Sequence, residues 1–206
     1  TMEQFHQHTQ VDLSLVASDT TGEKMLVLNY RTAPQVPVVW AVRMSMSIPL
    51  LWQSVTWRPE WGQYLGKDLA GHEIVDGGLL SNFPIELFVS QDATVKSVMG
   101  EDSGGSVLGM LIDESMPVEG VDSKALVTGG FNFTELRTVQ RLAGLMNTAL
   151  TAHDKMVIDA FERLVARMPA KGFGTTEFNM TDERRESLVN AGKAAMQAYF
   201  QRIERE

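Results

Sequence analysis

An aspartate followed by two glycines is the part of this sequence best suited to chemistry. Asp76 ends a short apolar segment, and Gly77 and Gly78 come directly after it. Glycine lets the backbone turn sharply or approach another group closely, so a carboxylate at this point can serve as a general base. The tripeptide is also common in ordinary turns, and taken alone it favours a turn. The surrounding residues therefore decide between the two interpretations.

The histidines offer two weaker candidate sites. His6 and His8, with Asp12 nearby, would share one face of a strand and could ligate a metal. No later residue obviously completes that site, so we interpret these histidines as solvated and expect no metal. His153 falls on the apolar side of a predicted helix beside Asp154, which favours a hydrogen-bonded core histidine over a pH-active group.

The glycine-rich segment 100–106 lacks the composition of a phosphate-binding loop. It carries Glu101 and Asp102 but no lysine, whereas a phosphate cradle combines backbone N–H donors with a cation. Two carboxylates would repel phosphate, so we interpret the segment as a linker. The 12 methionines fall mostly at apolar positions, which is typical of core packing.

Composition is that of a globular protein and excludes several kinds of site. A length of 206 residues with 44% hydrophobic residues predicts one domain. A net charge of −8 argues against nucleic acid as a partner. The absence of cysteine excludes disulfides and a cysteine nucleophile, and it favours a reducing compartment. The sequence shows no signal peptide or membrane-spanning segment, so we expect a cytoplasmic protein. We interpret Thr1 as a cut point or as the first ordered residue.

Hydrophobic periodicity predicts strands in the first half of the chain, with short helices between them. Alternation predicts paired strands over 11–17 and 25–30, and a helix begins at Pro37 and stops at Pro49. Short strands and loops follow to residue 80, then a brief helix through Val89. Residues 90–105 are polar and indicate a loop, and the apolar segment 106–112 predicts a buried strand.

The C-terminal region, 134–206, has a mainly helical pattern. Thr134 is a candidate N-cap for a long helix whose apolar positions recur as far as Met168, before Pro169 and Gly172. A short extended segment over 175–180 precedes a final helix capped by Thr181. The predicted buried positions of that helix are Leu188, Ala191, Ala195, Tyr199 and Ile203. Strands mixed with long helices indicate the α/β class, in a single domain over 1–206.

Three segments in a fixed order carry a resemblance to a known family. They are 12–22, with its Asp-Leu-x-Leu-Val-Ala-x-Asp-x-x-Thr-Gly pattern, then 41–49, which ends in Ser-Ile-Pro, and 76–84, which reads Asp-Gly-Gly-x-x-x-Asn-x-Pro. In this respect the chain resembles the second half of the patatin-like phospholipases, most strongly over 11–87. Residues 177–192 are also similar to the tail of many bacterial members. The resemblance implies a three-layer α/β sandwich with a central, mostly parallel sheet, here lacking its N-terminal strands.

The resemblance also implies a mechanism. Family members use a Ser-Asp dyad, in which a serine in a Gly-x-Ser-x-Gly turn attacks the ester carbonyl and the aspartate accepts its proton. Asp76 would be that base, with Gly77 and Gly78 shaping its turn, and Asn82 and Pro84 would hold the loop. No cofactor is implied. The expected function is lipid acyl hydrolysis of the phospholipase A or lysophospholipase type, on acyl lipids at a membrane or micelle surface.

The chain departs from the family pattern at the nucleophile. No Gly-x-Ser-x-Gly occurs in the 206 residues, and the glycine-rich oxyanion loop is missing as well. We therefore expect the C-terminal part of a catalytic domain, whose partner is the missing N-terminal segment of that domain and which is inactive alone. A non-catalytic patatin-type module that binds lipid or protein is one alternative. An acyltransferase that uses the same acyl-enzyme is another.

Overall fold

The protein forms two compact units, each with its own sheet. The computed structural model describes residues 1–49, 51–101, 105–121, 155–174, 177 and 179–205. The first unit comprises residues 1–105 and 155–157 of these, and the second comprises the other described residues. One sheet is antiparallel and the other parallel. The predicted α/β class is therefore confirmed, while the predicted single domain over 1–206 stays a prediction.

The sheet of the first unit has four antiparallel strands in the order β2-β1-β4-β3. β1 (Leu15–Asp19) and β2 (Lys24–Leu28) form the predicted hairpin, and β4 (Glu73–Asp76) pairs with β1 on its other side. β3 (Val55–Thr56) is an edge strand. The implied mostly parallel sheet is not what these residues form. The tight turn between β1 and β2 permits only antiparallel pairing, and β4 also runs antiparallel to β1 and β3. The implied three-layer sandwich stays a prediction.

Helix α1 (Met2–Thr9) precedes the hairpin, where the histidine interpretation assumed a strand. Thr1 and Gln4 form a capping box that satisfies amides at the start of the helix. Met2 is buried, and its amide donates to the carbonyl of Val36 over 2.9 Å. The strand predicted from residue 11 consequently begins later, at Leu15.

The remaining helices of the first unit agree with the sequence except at one place. Helix α2 (Val38–Ser45) follows Pro37 as predicted but ends before Pro49, and α3 (Glu86–Val89) lies where a brief helix was expected. Helix α4 (Ala93–Met99) occupies part of the predicted 90–105 loop, so that prediction was wrong. Asp92 is the reason: its side chain accepts the amides of the first turn and starts the helix.

The core of the first unit lies between its sheet, its helices and the loop that carries three aromatic side chains. Trp57 is 1% exposed and donates its indole N–H to the carbonyl of Gly62. Its ring meets those of Trp61 and Tyr64 edge to face. Other buried members of this core are Ala17, Leu26, Leu28, Val36, Ala41, Met44, Leu69 and Ile74.

The second unit has a parallel pair of strands, β5 (Gly109–Pro117) and β6 (Val165–Lys171). The buried strand predicted over 106–112 is wrong in its burial, because Met110 and Ile112 are 55% and 68% exposed. Burial alternates along β5, with Gly109 and Asp113 inside, so only one face of this strand is covered.

The predicted long helix ending at Met168 is also wrong in its last part. Residues 155–160 are helical, but the chain then forms a 3-10 turn, Glu162–Leu164, and enters β6. Val165 and Ala166 are buried as strand residues that pair with β5. The helix prediction failed here because a short apolar segment fits a helical and a strand period equally well. Residues 134–154, with Thr134 and His153, lie outside the described residues.

The C-terminal helix α5 (Asp182–Ile203) begins as predicted, with Thr181 accepting the amide of Arg184. Tyr199 is buried and its hydroxyl donates to the carbonyl of Arg163, whereas Ile203 is 44% exposed and not on a buried face. The extended segment 175–180 lies partly outside the described residues. None of the helices in the described part of the chain is long and apolar enough to cross a membrane.

Candidate active site

Asp76 is the last residue of β4 and lies where the sheet gives way to a turn. It pairs in register with Ala17 of β1, and the 3-10 turn Gly77–Leu79 follows it directly. Its backbone amide donates to the carbonyl of Ser47 over 3.0 Å. Its carboxyl oxygen Oδ1 accepts the amide of Gly78 over 2.7 Å. The backbone and one carboxyl oxygen are therefore held, and no described residue donates a hydrogen bond to Oδ2.

Both glycines after Asp76 are required by close contacts. A Cβ on Gly77 would lie against the carbonyl oxygen of Val16, 2.6 Å from the carbonyl carbon. A Cβ on Gly78 would overlap the side-chain oxygen of Asn82 and lie 3.0 Å from Asp76 Oδ1. Atoms at these separations repel one another, so the turn depends on the missing side chains.

The environment of Asp76 makes its carboxylate a stronger base than an exposed aspartate. Partial burial raises its pKa above the ordinary value of 3.8, and the Gly78 N–H opposes that rise by stabilising the ionised form. Across the described residues, no ion pair neutralises the carboxylate. A half-buried carboxylate with one anchored oxygen can accept a proton from a hydroxyl placed near the other.

Asn82 and Pro84 lie on the same loop as Asp76, as the spacing predicted. The exposed Asn82 places its amide side chain over Gly78. Pro84 is half-buried between the buried side chains of Phe83 and Ile85, immediately before α3. Their positions suit residues that hold the loop, and that role stays a prediction.

Ser47 and Arg43 belong to the 41–49 segment, and they contact this site although sequence reasoning gave neither residue a role. Ser47 is fully buried, and its carbonyl is the acceptor for the Asp76 amide. The guanidinium of Arg43 donates to the Ser47 hydroxyl and, over 3.1 Å, to the carbonyl of Gln53. The sequence could have predicted the contact between them, because an arginine and a serine four residues apart at a helix end lie on the same side of the helix.

A buried carboxylate, Asp19, forms a second polar cluster at the other end of β4. It accepts the amides of Thr21 and Gly22 at 3.1 and 2.8 Å. His72 Nδ1 lies 2.9 Å from its Oδ2, and Lys24 Nζ lies 3.7 Å away. Burial alone would raise the pKa of Asp19, but the Gly22 amide, His72 and Lys24 together hold it below 3.8. The cluster joins the β1–β2 turn to the start of β4.

The other candidate residues are not brought into a common site. His6 lies on α1, with Nδ1 2.9 Å from Asp12 Oδ1 and its ring stacked on Tyr30 at 3.7 Å. The pattern of alternate strand residues proposed for His6 and His8 was therefore wrong, and His8 is exposed. Within the described ranges, no group of three or more His, Cys, Asp or Glu could hold a metal. In segment 100–106, Gly100 ends α4, and residues 102–104 lie outside the description.

Two comparisons with known proteins include the unit that carries Asp76. Residues 2–89 match the family model described as patatin-like phospholipase. An uncharacterised protein of Bacillus subtilis strain 168, YqhO, is 28% identical to this chain over 195 residues. That alignment covers 91% of this chain and 57% of YqhO, so the chain spans little more than half the length of this relative. The matched family region includes β1 to β4 and the whole Asp76 turn.

Proposed function

We propose that this chain supplies the general base of a lipid acyl hydrolase, because residues 2–89 match the family model described as patatin-like phospholipase. The observation that carries the proposal is the environment of Asp76: a partly buried carboxylate with a raised pKa, one oxygen anchored by Gly78 and the other without a described partner. The substrate class is a carboxylic ester of an acyl lipid, as in phospholipase A or lysophospholipase chemistry.

In the proposed reaction Asp76 moves one proton in each half of the cycle. It accepts the proton of a serine hydroxyl as that oxygen attacks the ester carbonyl carbon, and it returns the proton to the departing alcohol oxygen. Water then attacks the acyl-enzyme in the same way and releases the fatty acid. The sequence has no Gly-x-Ser-x-Gly turn, so the proposal assigns the serine and the oxyanion donors to a segment outside these 206 residues.

The experiment uses the full-length protein that contains this chain, with phospholipid micelles and measurement of released fatty acid. Asp76→Asn keeps the shape of the side chain but removes the base, and we expect turnover to fall by about 10³-fold or more. The matched control is Asp68→Asn, because Asp68 is exposed and accepts only a local turn amide among the described residues. Equal turnover in wild type and Asp76→Asn would contradict the proposal.

The alternative function favoured by a specific observation is a non-catalytic module. The absence of a serine turn from the chain supports it, because a base without a nucleophile cannot form an acyl-enzyme. Binding of phospholipid vesicles without fatty-acid release, equal in wild type and Asp76→Asn, would favour this alternative. An acyltransferase would be recognised in the first assay by acyl transfer to an added alcohol in place of water.

A further inference from the structure

We propose that Arg43 is a positioning residue for Asp76 and acts through Ser47. The inference rests on the proposed function, since it concerns the placement of the proposed base. Arg43 belongs to the last turn of α2, whereas Asp76 ends β4. Two hydrogen bonds in series connect them, one to the Ser47 hydroxyl and one from the Asp76 amide to the Ser47 carbonyl.

The first link is the two-branched contact of the Arg43 guanidinium. Nη1 donates to the hydroxyl of Ser47, and Nη2 donates to the carbonyl of Gln53 over 3.1 Å. The same group lies over the ring of Trp52, with its carbon 5.6 Å from the ring centre. Arg43 is therefore hydrogen-bonded to both Ser47 and Gln53 in the chain that follows α2. A lysine ammonium is a compact point charge and does not reproduce this planar fork.

The second link is the buried backbone of Ser47. Its amide donates to the carbonyl of Met44 over 3.1 Å, and its hydroxyl donates back to the carbonyl of Arg43. Ser47 is 0% exposed, so water cannot replace these bonds without opening the segment. Its carbonyl is thus held in place when it accepts the Asp76 amide at 3.0 Å.

The consequence for chemistry follows from the position of Asp76 at the end of its strand. Beyond it the chain enters the glycine turn, so the bond to Ser47 fixes the point from which the carboxyl group extends. A shift of that point also changes the geometry of the Gly78 amide that holds Oδ1. Misplacing a catalytic group by about 1 Å can reduce turnover on the order of 10²-fold.

The experiment compares Arg43→Lys with Arg58→Lys in the full-length protein. Arg58 is a suitable control because it also stacks on aromatic rings, those of Trp40 and Trp61, and is about half exposed. We expect Arg43→Lys to lower kcat by about 10- to 100-fold with KM changed by less than about two-fold, since base placement affects the transition state and not lipid binding. Arg58→Lys should leave both constants close to wild type.

A second readout does not depend on turnover. Hydrogen–deuterium exchange of the Asp76 amide, followed by mass spectrometry, should be at least about ten-fold faster in Arg43→Lys, while the amide of Ile74 stays protected. If Arg43→Lys does not fold, Ser47→Ala removes the accepting hydroxyl, with Ser45→Ala as its control. Ser47→Ala should speed hydrogen–deuterium exchange at the Asp76 amide and lower kcat, as expected for Arg43→Lys.

The possible failures are distinguishable. If Asp76→Asn abolishes turnover but Arg43→Lys and Ser47→Ala leave kcat unchanged, the positioning role is overturned and the proposed function stands. Unchanged exchange at Asp76 in both variants would also overturn the positioning role. If wild type and Asp76→Asn turn over equally, the proposed function fails, and the catalytic role of Arg43 fails with it.

Discussion

Gly77 lies directly against the backbone of Val16 in the neighbouring strand. A Cβ added to Gly77 would be 2.6 Å from the Val16 carbonyl carbon and 2.9 Å from its Cγ1. Val16 belongs to β1 and Gly77 follows the last residue of β4, so the contact lies at the point where the pair of strands separates. The absence of a side chain at 77 therefore determines how closely the Asp76 turn packs onto the sheet.

We expect Gly77→Ala to destabilise the fold and displace Asp76 at the same time. The new methyl overlaps backbone atoms, which cannot move without separating β1 from the turn, and such overpacking costs about 1–3 kcal/mol. The urea midpoint and turnover should both fall. The control is Gly66→Ala: that site is open but has φ +74, so only backbone strain of about 1 kcal/mol is expected, with turnover retained. Equal losses in the two variants would contradict the steric argument.

The raised pKa of Asp76 predicts that the proposed base costs stability. Burial makes the folded state hold the proton more tightly than the unfolded chain, so stability falls as pH rises from 3.8 through the raised value. An asparagine side chain in its place carries no charge at any pH. We therefore expect Asp76→Asn to have a higher urea midpoint than wild type at neutral pH, with the difference disappearing below pH 3.8. A lower midpoint for Asp76→Asn than for wild type at neutral pH would contradict this, because it would mean that the folded protein stabilises the ionised Asp76 carboxylate.

Asp19 predicts the opposite pH dependence. Its contacts hold the pKa below 3.8 in the folded state, so its contribution to stability is present above the unfolded pKa and is lost as pH falls through the folded value. Asp19→Asn should cost about 1–3 kcal/mol at neutral pH, because the two hydrogen bonds from the amides of Thr21 and Gly22 and the His72 contact weaken. Urea titrations at several pH values measure this, with the exposed Asp68→Asn as control. A similar loss in the control would contradict a specific role for the cluster.

Trp57 should dominate the stability of the first unit. It is 1% exposed, donates to Gly62 and meets two aromatic rings, so Trp57→Leu removes packing and leaves that carbonyl without its donor. We expect a loss of about 3–5 kcal/mol in the free energy of unfolding. Phe88→Leu is the control, since Phe88 is 58% exposed, and its cost should stay below about 1 kcal/mol.

Ser18 offers a stabilising substitution in β1. Its hydroxyl is buried, and among the described residues it has no hydrogen-bond partner. Ser18→Ala removes an unpaired polar group and should raise the free energy of unfolding by about 1 kcal/mol. Ser14→Ala should lower the free energy of unfolding, because the Ser14 hydroxyl accepts a hydrogen bond from the Asn29 side-chain amide over 3.1 Å. Thermal unfolding of both variants tests the pair, and a lower Tm for Ser18→Ala would contradict the assignment.

Local patterns predicted the elements whose determinants lie close together in sequence. The β1–β2 hairpin, the start of α2 after Pro37, and the Thr181 cap of α5 each depend on neighbouring residues, and each is present. β6 could not be separated from a helix in the same way. Its residues fit a helical period, and what makes them a strand is pairing with β5, 56 positions earlier in the chain over most of the register.

The sequence by itself determined that Asp76, Gly77 and Gly78 form the candidate turn, because the motif and its two preceding segments are continuous stretches of chain. Only the tertiary structure decided why the turn has this form. Gly77 is required by Val16, and the Asp76 amide is held by Ser47, which Arg43 fixes in turn. These partners come from β1 and the end of α2, tens of residues away, and such contacts arise only when the sheet and helix pack together.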